Sequence, residues 1–207
     1  MEGVSEAHEV LDEIMEWLER EVPGGVRGMV AHSMGGFLGL LYLLRRPRVF
    51  HFCWANGVLV DPGWGQGVLM RSVARVLAPL VPNVTVGNGV RASMCSHRAE
   101  LRDPLSHRRV SIGLGASLMA AAGELERGVA AMDPGLMLLV THGGDDPVCP
   151  PEITERLIAK AGARRKRFVI YPRMLHETFR DEGAESLFEE VGRWLLEVEA
   201  ASADAGS

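Results

Sequence analysis

Cysteine is scarce in this sequence, and the three that occur are widely separated: Cys53, Cys95 and Cys149. They form no C-x-x-C pair and have no histidine pair at the spacing of a zinc site, which argues against a disulfide framework and against a structural metal. An odd number of such cysteines is typical of free thiols in a reducing compartment. We therefore expect no disulfide, no metal and no other cofactor.

Long apolar runs are also missing. No stretch approaches the length of a membrane span, and the N-terminus has no apolar segment of the signal-peptide type. We therefore expect a cytoplasmic protein and leave open a peripheral contact with membranes. The net charge is -5, with Lys and Arg mixed among Asp and Glu, so nothing indicates nucleic-acid binding. The one basic run, residues 164–167, is interpreted as a solvated loop before a strand, and no feature predicts an oligomeric state.

Strand and helix patterns alternate in the first and last parts of the chain. Residues 4–21 carry an apolar stripe at helical spacing and mostly acidic residues elsewhere, which predicts an amphipathic helix. The pattern then predicts strand 26–31, helix 34–45 and strand 49–55 and, after a long interruption, strand 136–141, helix 151–162, strand 167–171 and helix 182–198. Such alternation is typical of an α/β protein with a mainly parallel sheet flanked by helices. A chain of 207 residues, 47% of them hydrophobic, is long enough to bury a core.

The interruption runs from residue 59 to residue 133 and contains short helical runs separated by Gly, Pro and Asn. One run, residues 67–80, has an apolar face, with Arg71 and Arg75 on its polar side. We interpret the region as a cap over a site in the core, either packed on the pocket mouth or partly exposed to a membrane. The predicted organisation is therefore core 1–58, cap 59–133, core 134–199 and a disordered tail 200–207.

A serine stands in the turn between the first predicted strand and the next helix, in the run Ala31-His32-Ser33-Met34-Gly35-Gly36. A strand, a tight turn with a serine and a helix are the context of a nucleophile elbow. The strand and helix backbones nearly meet there, so the flanking residues must be small. Gly35 meets this need, and Ala31 departs from glycine by a single methyl group. We predict that Ser33 is a nucleophile rather than part of an ordinary turn that begins a helix.

A nucleophilic serine requires a histidine base and a carboxylate that orients it. In this type of fold the order along the chain is serine, acid, histidine. The turn after predicted strand 136–141 contains Asp145 and Asp146, and of the seven histidines only His176 lies beyond that turn. His176 is therefore the candidate base by elimination, and both aspartates are candidate acids.

In combination, these motifs resemble the monoacylglycerol lipase and lysophospholipase branch of the α/β-hydrolases, also classed as serine aminopeptidase-like hydrolases. The resemblance extends over about residues 5–197 and is carried by residues 31–36, 103–105, 142–148 and 175–177. It implies an α/β-hydrolase fold with a helical cap and a small acyl ester or lipid, a monoacylglycerol or lysophospholipid, as the substrate. The residues to which it gives roles are Ser33 as nucleophile, His176 as base, Asp146 as acid with Asp145 as the alternative, the Met34 N–H as oxyanion donor, and Asp103 as a structural residue.

One departure from the family pattern affects these expectations. The family fold has four strands before the helix that precedes the nucleophile strand, whereas this sequence begins at that helix. We therefore expect four parallel strands, with strand 26–31 at an edge, and no loop that provides a second oxyanion N–H. Two functions are compatible with this pattern: a serine esterase or lipase whose activity is reduced, and a catalytically impaired protein of this fold that acts as a binding or interaction module.

Overall fold

The computed structural model describes residues 3–64, 72, 76–98 and 108–205. Six α-helices are described over their whole length: α1 (Val4–Glu21), α2 (Met34–Arg45), α3 (Ala92–Cys95), α4 (Ile112–Gly128), α5 (Pro151–Lys160) and α6 (Ala184–Ala205). The strands of the described residues are β1 (Gly28–His32), β2 (Phe52–Asn56), β3 (Thr85–Gly87), β4 (Arg109–Ser111), β5 (Met137–Gly143) and β6 (Arg165–Tyr171). Two short 3₁₀ helices occupy Val129–Ala131 and Thr178–Arg180.

Four of the strands form one sheet in the order β1-β2-β5-β6, and every neighbouring pair is parallel. The predicted α/β class and the predicted position of β1 at an edge of this sheet are therefore confirmed. The carboxyl ends of parallel strands meet at one edge of a sheet, where α/β proteins commonly place their sites. The loops after β1, β2, β5 and β6 consequently converge.

Helices cover both faces of the sheet. The side chains of Leu138 and Val140 join a core cluster with α1, α2, α4 and α5, whereas those of Met137 and Leu139 join a second cluster with α6. This alternation along β5 follows from the two-residue period of a strand, and burial on both faces explains its continuous apolar run. Towards this second cluster α6 contributes Leu187, Val191, Trp194 and Val198.

Helix α4 differs from the expectation of a cap over residues 59–133. Its residues Leu118, Ala121 and Leu125 are buried in the same cluster as α2. The helix begins at a cap in which the Ser111 hydroxyl accepts a hydrogen bond from the Leu114 N–H at 3.1 Å. This helix therefore packs in the core cluster, although the cap was expected to extend to residue 133. The sequence of α4 is rich in Gly and Ala, which makes its apolar stripe narrow and explains why its packing was not predicted.

Two further differences concern short or terminal elements. Strands β3 and β4 pair as an antiparallel hairpin that the sequence did not predict, because three residues each are too few for a visible alternation. Helix α6 continues to Ala205, so the tail predicted to be disordered from residue 200 is helical over most of its length. Alanine favours the helix, and Ala201 packs against the second core cluster.

Some predictions lie outside the described residues. They include most of the predicted helix 67–80, with Arg71 and Arg75, and the Asp103-Pro104-Leu105 motif. Over the part of the chain that is described, we find no helix that combines the length and the apolar character needed to cross a membrane.

Candidate active site

Ser33 occupies a strained turn between β1 and α2. Its backbone has φ 55 and ψ -120, a conformation that is unusual for a residue with a side chain and that clusters at functional sites. Neighbouring backbone groups hold it there: the Ser33 N–H donates to the Asn56 carbonyl at 3.0 Å, and the Ser33 carbonyl accepts from the Leu59 N–H at 3.1 Å. The turn therefore presents the serine at the carboxyl edge of the sheet.

The close approach of strand and helix is real, but it does not involve Gly35 as expected. A Cβ added at Gly35 would meet no described atom within 4 Å, because it would point into open space. The crowded positions are Gly36, where a Cβ would lie 3.1 Å from Val58, and Gly39, where it would lie 2.7 Å from the Met29 sulfur. The small residues that this turn requires are thus one and four positions further along α2.

The structure brings Ser33, His176 and Asp146 together. His176 Nε2 lies 2.9 Å from Ser33 Oγ, and His176 Nδ1 lies 2.8 Å from Asp146 Oδ2. Both distances are in hydrogen-bond range without a bound substrate. The histidine and the aspartate are almost completely buried, so their interaction is shielded from water. A serine, a histidine and a carboxylate in this order can form an activated nucleophile.

Asp146 is held by the turn in which it lies. Its second oxygen, Oδ1, accepts hydrogen bonds from the Val148 N–H at 2.8 Å and the Cys149 N–H at 3.0 Å, which leaves Oδ2 directed at His176. Asp145 is exposed, and its N–H donates to the Met174 carbonyl. Of the two candidate aspartates, Asp146 is therefore the one placed against the histidine.

The histidine loop is fixed by a buried carboxylate that sequence reasoning missed. Asp181 Oδ2 accepts from the Leu175 N–H at 2.7 Å, directly before His176, and Asp181 Oδ1 accepts from the His97 N–H at 2.7 Å. The Glu177 N–H also donates to the Cys95 carbonyl at 2.7 Å. The segment around α3 is therefore bound to the loop that carries His176. A lone Asp in a Thr-Phe-Arg-Asp turn offers no sequence signal of this role.

A second histidine lies beside His176. The ring of His32 is 4.7 Å from the His176 ring, centroid to centroid, and its Nδ1 lies 3.0 Å from the side-chain oxygen of Asn56. Burial, and the nearby His176, lower the pKa of His32 to about 4. His32 is therefore neutral at pH 7 and brings no positive charge next to His176. Burial likewise lowers the pKa of His142, whose Nδ1 lies 3.6 Å from Asp146 Oδ2.

One group of side chains at this site has donor atoms close enough to suggest a metal. Ligand atoms of Asp146, Cys149 and His176 lie within 4.8 Å of one another. Asp146 and His176 already share a hydrogen bond. Burial, together with the adjacent Asp146 carboxylate, raises the pKa of the Cys149 thiol. A protonated thiol is a poor metal ligand. The arrangement fits a proton relay better than a metal centre.

A small depression, open to solvent, lies beside the nucleophile turn, and its described lining does not include Ser33 itself. It includes Leu59, whose N–H is bonded to the Ser33 carbonyl, and Thr154 and Cys149 from the acid side. Its remaining walls are mainly apolar: Val58, Val60, Asp61, Trp64, Pro150 and Ile153. These mainly apolar walls lie next to the turn that carries Ser33.

Comparison with known proteins identifies the fold and the family pattern. The family model Hydrolase_4, described as "Serine aminopeptidase, S33", matches residues 1–183. A monoacylglycerol lipase of Mycolicibacterium smegmatis is 26% identical over 82% of this chain and 62% of its own length. The monoglyceride lipase of Homo sapiens is 24% identical over 98% of this chain and 70% of its own length. The chain thus spans about two thirds of the length of these relatives.

Solved structures give the same fold. The monoacylglycerol lipase of Paleococcus ferrophilus superposes with a TM-score of 0.85 at 24% identity, over 95% of this chain and 76% of that one. A soluble variant of the monoglyceride lipase of Saccharomyces cerevisiae, in complex with a substrate analog, superposes with a TM-score of 0.76 at 20% identity, over 94% of this chain and 68% of that one. At such identities the likeness concerns the fold alone, which is the α/β-hydrolase fold expected from the sequence.

Proposed function

The chain belongs to the serine aminopeptidase S33 family of α/β-hydrolases, and we propose that it is a serine esterase of the monoacylglycerol lipase type that works through Ser33, His176 and Asp146. The observation that carries the proposal is the continuous hydrogen-bonded path from Ser33 Oγ through both ring nitrogens of His176 to Asp146 Oδ2. A path of this kind is what an activated serine requires.

The reaction proceeds in two halves. Asp146 accepts the Nδ1–H of His176, which leaves Nε2 free to take the Ser33 proton as Ser33 Oγ attacks the ester carbonyl. His176 then gives that proton to the departing alcohol, and an acyl-enzyme on Ser33 remains. A water molecule, deprotonated by His176, attacks the acyl-enzyme, and the carboxylic acid leaves as the proton returns to Ser33.

The negative charge that develops on the carbonyl oxygen needs a hydrogen-bond donor. Met34 occupies the first position of α2, where the helix itself offers no acceptor for its N–H. The positive end of the helix dipole adds to this site. We assign the Met34 N–H as the oxyanion donor and assign no second one among the described residues. Loss of one such donor costs about 10² to 10³ in turnover, so the activity is expected to be reduced.

The proposed substrates are monoacylglycerols or lysophospholipids. The relatives described above are monoacylglycerol and monoglyceride lipases, and the walls of the depression beside the nucleophile turn are mainly apolar. We propose that residues 59–111 act as the cap, because their described part around α3 is bound to the histidine loop. The exposed apolar side chains of this region, Val76, Leu80 and Val84, fit a peripheral contact with a lipid surface.

A fatty-acid release assay tests the function. We expect the wild-type chain to release fatty acid from monoacylglycerol emulsions, and the Ser33→Ala variant to release none above the uncatalysed rate. A short-chain nitrophenyl ester serves as a second substrate. Its hydrolysis without any lipid hydrolysis would keep the esterase and reject the lipid substrate, whereas no Ser33-dependent hydrolysis of either would reject the enzyme.

One observation favours a second candidate function. Among the described residues, nothing pairs with the outer edge of β1 and only one oxyanion donor is assigned. A chain with these features could bind a lipid or a partner without turnover. Retention of monoacylglycerol in equilibrium dialysis, together with no fatty-acid release, would select this alternative.

A further inference from the structure

Asn56 lies at the carboxyl end of β2, directly below the candidate catalytic groups, and it is only 3% exposed. Its side-chain amide is fully used. The carbonyl oxygen Oδ1 accepts from His32 Nδ1 at 3.0 Å, and the amide nitrogen Nδ2 donates to Thr141 Oγ1 at 2.8 Å and to Thr178 Oγ1 at 2.5 Å. Both threonines are completely buried.

These three partners belong to three different segments. His32 directly precedes Ser33, Thr141 lies on β5, five residues before Asp146, and Thr178 lies two residues after His176. One amide group therefore links the segments that carry the nucleophile, the acid and the base. A buried amide with every link made is costly to disturb, because each lost partner leaves a polar group without compensation.

The backbone of Asn56 and its neighbour reinforces the same junction. The Asn56 carbonyl accepts from the Ser33 N–H at 3.0 Å and also from His32 Nδ1 at 3.1 Å. Gly57 follows with φ 52, a conformation that favours glycine, and a Cβ there would lie 2.9 Å from the His176 carbonyl. The chain thus passes between the serine turn and the histidine loop with no space for a larger residue.

We propose that Asn56 is a positioning residue: its amide holds Ser33, His176 and Asp146 in mutual register by fixing the three segments that carry them. The proposal rests on the proposed function, since it concerns the geometry of that same triad. Asn56 contacts none of the three side chains through its amide, and it acts only through His32, Thr141 and Thr178. A displacement of about 1 Å between reacting groups costs about 10² in rate.

Variants can separate the links. Thr178→Val removes the hydroxyl at constant shape and cuts only the link to the histidine loop, whereas Thr178→Ser keeps the hydroxyl. Asn56→Leu removes all three links at similar volume. Trp54→Phe is the matched control, because the Trp54 indole N–H donates to the same Thr141 hydroxyl at 2.9 Å but joins none of the triad segments to another.

Rates on a short-chain nitrophenyl ester give the first measurement. We expect kcat to fall about 100-fold in Asn56→Leu and about 10-fold in Thr178→Val, with KM changed by less than about twofold, and Thr178→Ser and Trp54→Phe to stay within about threefold of wild type. Thermal unfolding midpoints are recorded for all four variants. Equal kcat values for Thr178→Val and Trp54→Phe at equal unfolding midpoints would overturn the positioning role.

A second measurement does not depend on activity. The Nδ1 proton of His176, hydrogen-bonded to Asp146, gives a downfield proton resonance that can be followed in histidine-labelled protein by NMR. We expect this resonance to shift or broaden in Thr178→Val and to remain in Trp54→Phe. An unchanged resonance in Thr178→Val would overturn the proposal even if the wild-type chain hydrolysed no ester, while the absence of wild-type hydrolysis would by itself reject only the proposed function.

Discussion

On the histidine side of Ser33, each polar group of the site has a fixed partner within the described residues. Asp146 is held by two backbone N–H groups, His176 bridges it to the serine, and Asn56 ties the three segments together. At the proposed oxyanion site, by contrast, the one group assigned among the described residues is the Met34 N–H. In the proposed mechanism, the first side activates the nucleophile and the second stabilises the oxyanion. Within the described residues, the histidine side of Ser33 is therefore more completely held in place than the proposed oxyanion site.

The two edge strands of the sheet, β6 and β1, also differ, in this case in how well their composition suits an exposed edge. Strand β6 carries Arg165, Lys166 and Arg167 in succession, and Arg167 pairs with Glu190 and Glu197 of α6. Charged residues on an edge strand prevent pairing with another chain. Strand β1 has instead the sequence GMVAH, in which the Val30 side chain is 70% exposed. Strand β6 therefore has the composition of an exposed edge strand, whereas β1 has the composition of an interior strand.

The largest expected effect concerns the histidine side of Ser33. We expect Asp146→Asn to lower kcat by about 10⁴, because the imidazole loses the carboxylate that fixes its tautomer and balances its charge. The matched control is Asp145→Asn, whose side chain is exposed, and its kcat should stay within about twofold of wild type. Initial rates on a nitrophenyl ester measure both. A larger loss of kcat in Asp145→Asn than in Asp146→Asn would show that Asp145, and not Asp146, is the acid.

The next largest effect concerns the proposed oxyanion site. If the family pattern applies, a chimera that carries the strands preceding α1 from one of the longer relatives would add a neighbour to β1 and a second oxyanion N–H. We expect its ester hydrolysis to exceed that of this chain by about 10², with Ser33→Ala inactive in both backgrounds. Similar rates in the two proteins would mean that this chain uses a second donor that we have not identified.

A smaller effect is expected in the pH dependence of stability. The folded-state pKa of His32 is lowered to about 4, mainly by burial. As the pH falls below about 6.5 the unfolded chain takes up a proton before the folded chain does, so the free energy of unfolding decreases down to about pH 4, by up to about 3 kcal/mol. The lowered pKa values of His8 and His142 act in the same direction.

Chemical denaturation at several pH values between 4 and 7 measures this loss. The slope should be smaller in His32→Gln than in the wild type, and His51→Gln, which changes an exposed histidine, serves as the comparison variant. If the two variants lose stability with pH equally, burial of His32 does not contribute to the acid sensitivity of the fold.

The smallest effect is expected at the outer edge of β1, with which no described strand pairs. We expect the wild-type chain to associate as its concentration rises, and Val30→Lys to weaken this association by a few-fold, because a charge on an edge strand opposes pairing. The control is Ile170→Lys on β6, whose edge already carries charge. Sedimentation velocity over a concentration series measures both. Association that is unchanged in Val30→Lys would place the contact elsewhere.

The sequence was sufficient to predict the elements that have long hydrophobic patterns and the site residues for which the chain offers few candidates. The parallel four-stranded sheet with β1 at an edge, helix α2 (Met34–Arg45) and the convergence of Ser33 with His176 follow from apolar runs and from an elimination among seven histidines. The core position of α4, the hairpin of β3 and β4 and the helical end of α6 were not predicted, because tertiary packing rather than a local pattern stabilises them.

The supporting polar residues were also missed. Asn56, Thr141, Thr178 and Asp181 are each common residues, and nothing in their spacing shows that the fold brings the first three to one point or that Asp181 anchors the histidine loop. A polar residue that ends an otherwise apolar strand, as Asn56 does on β2, is the one weak signal that could have indicated them. Such groups become visible only when their partners from distant segments are known.

Covalent labelling with a fluorophosphonate probe tests the central claim most directly, since the probe reacts with a serine only when a base activates it. We predict one adduct per chain by intact-mass measurement, located on the peptide that contains Ser33, absent in Ser33→Ala and slowed by about 10³ or more in His176→Gln. No adduct in the folded wild-type chain, or an adduct formed equally fast in His176→Gln, would contradict the assignment of Ser33, His176 and Asp146 as a catalytic triad.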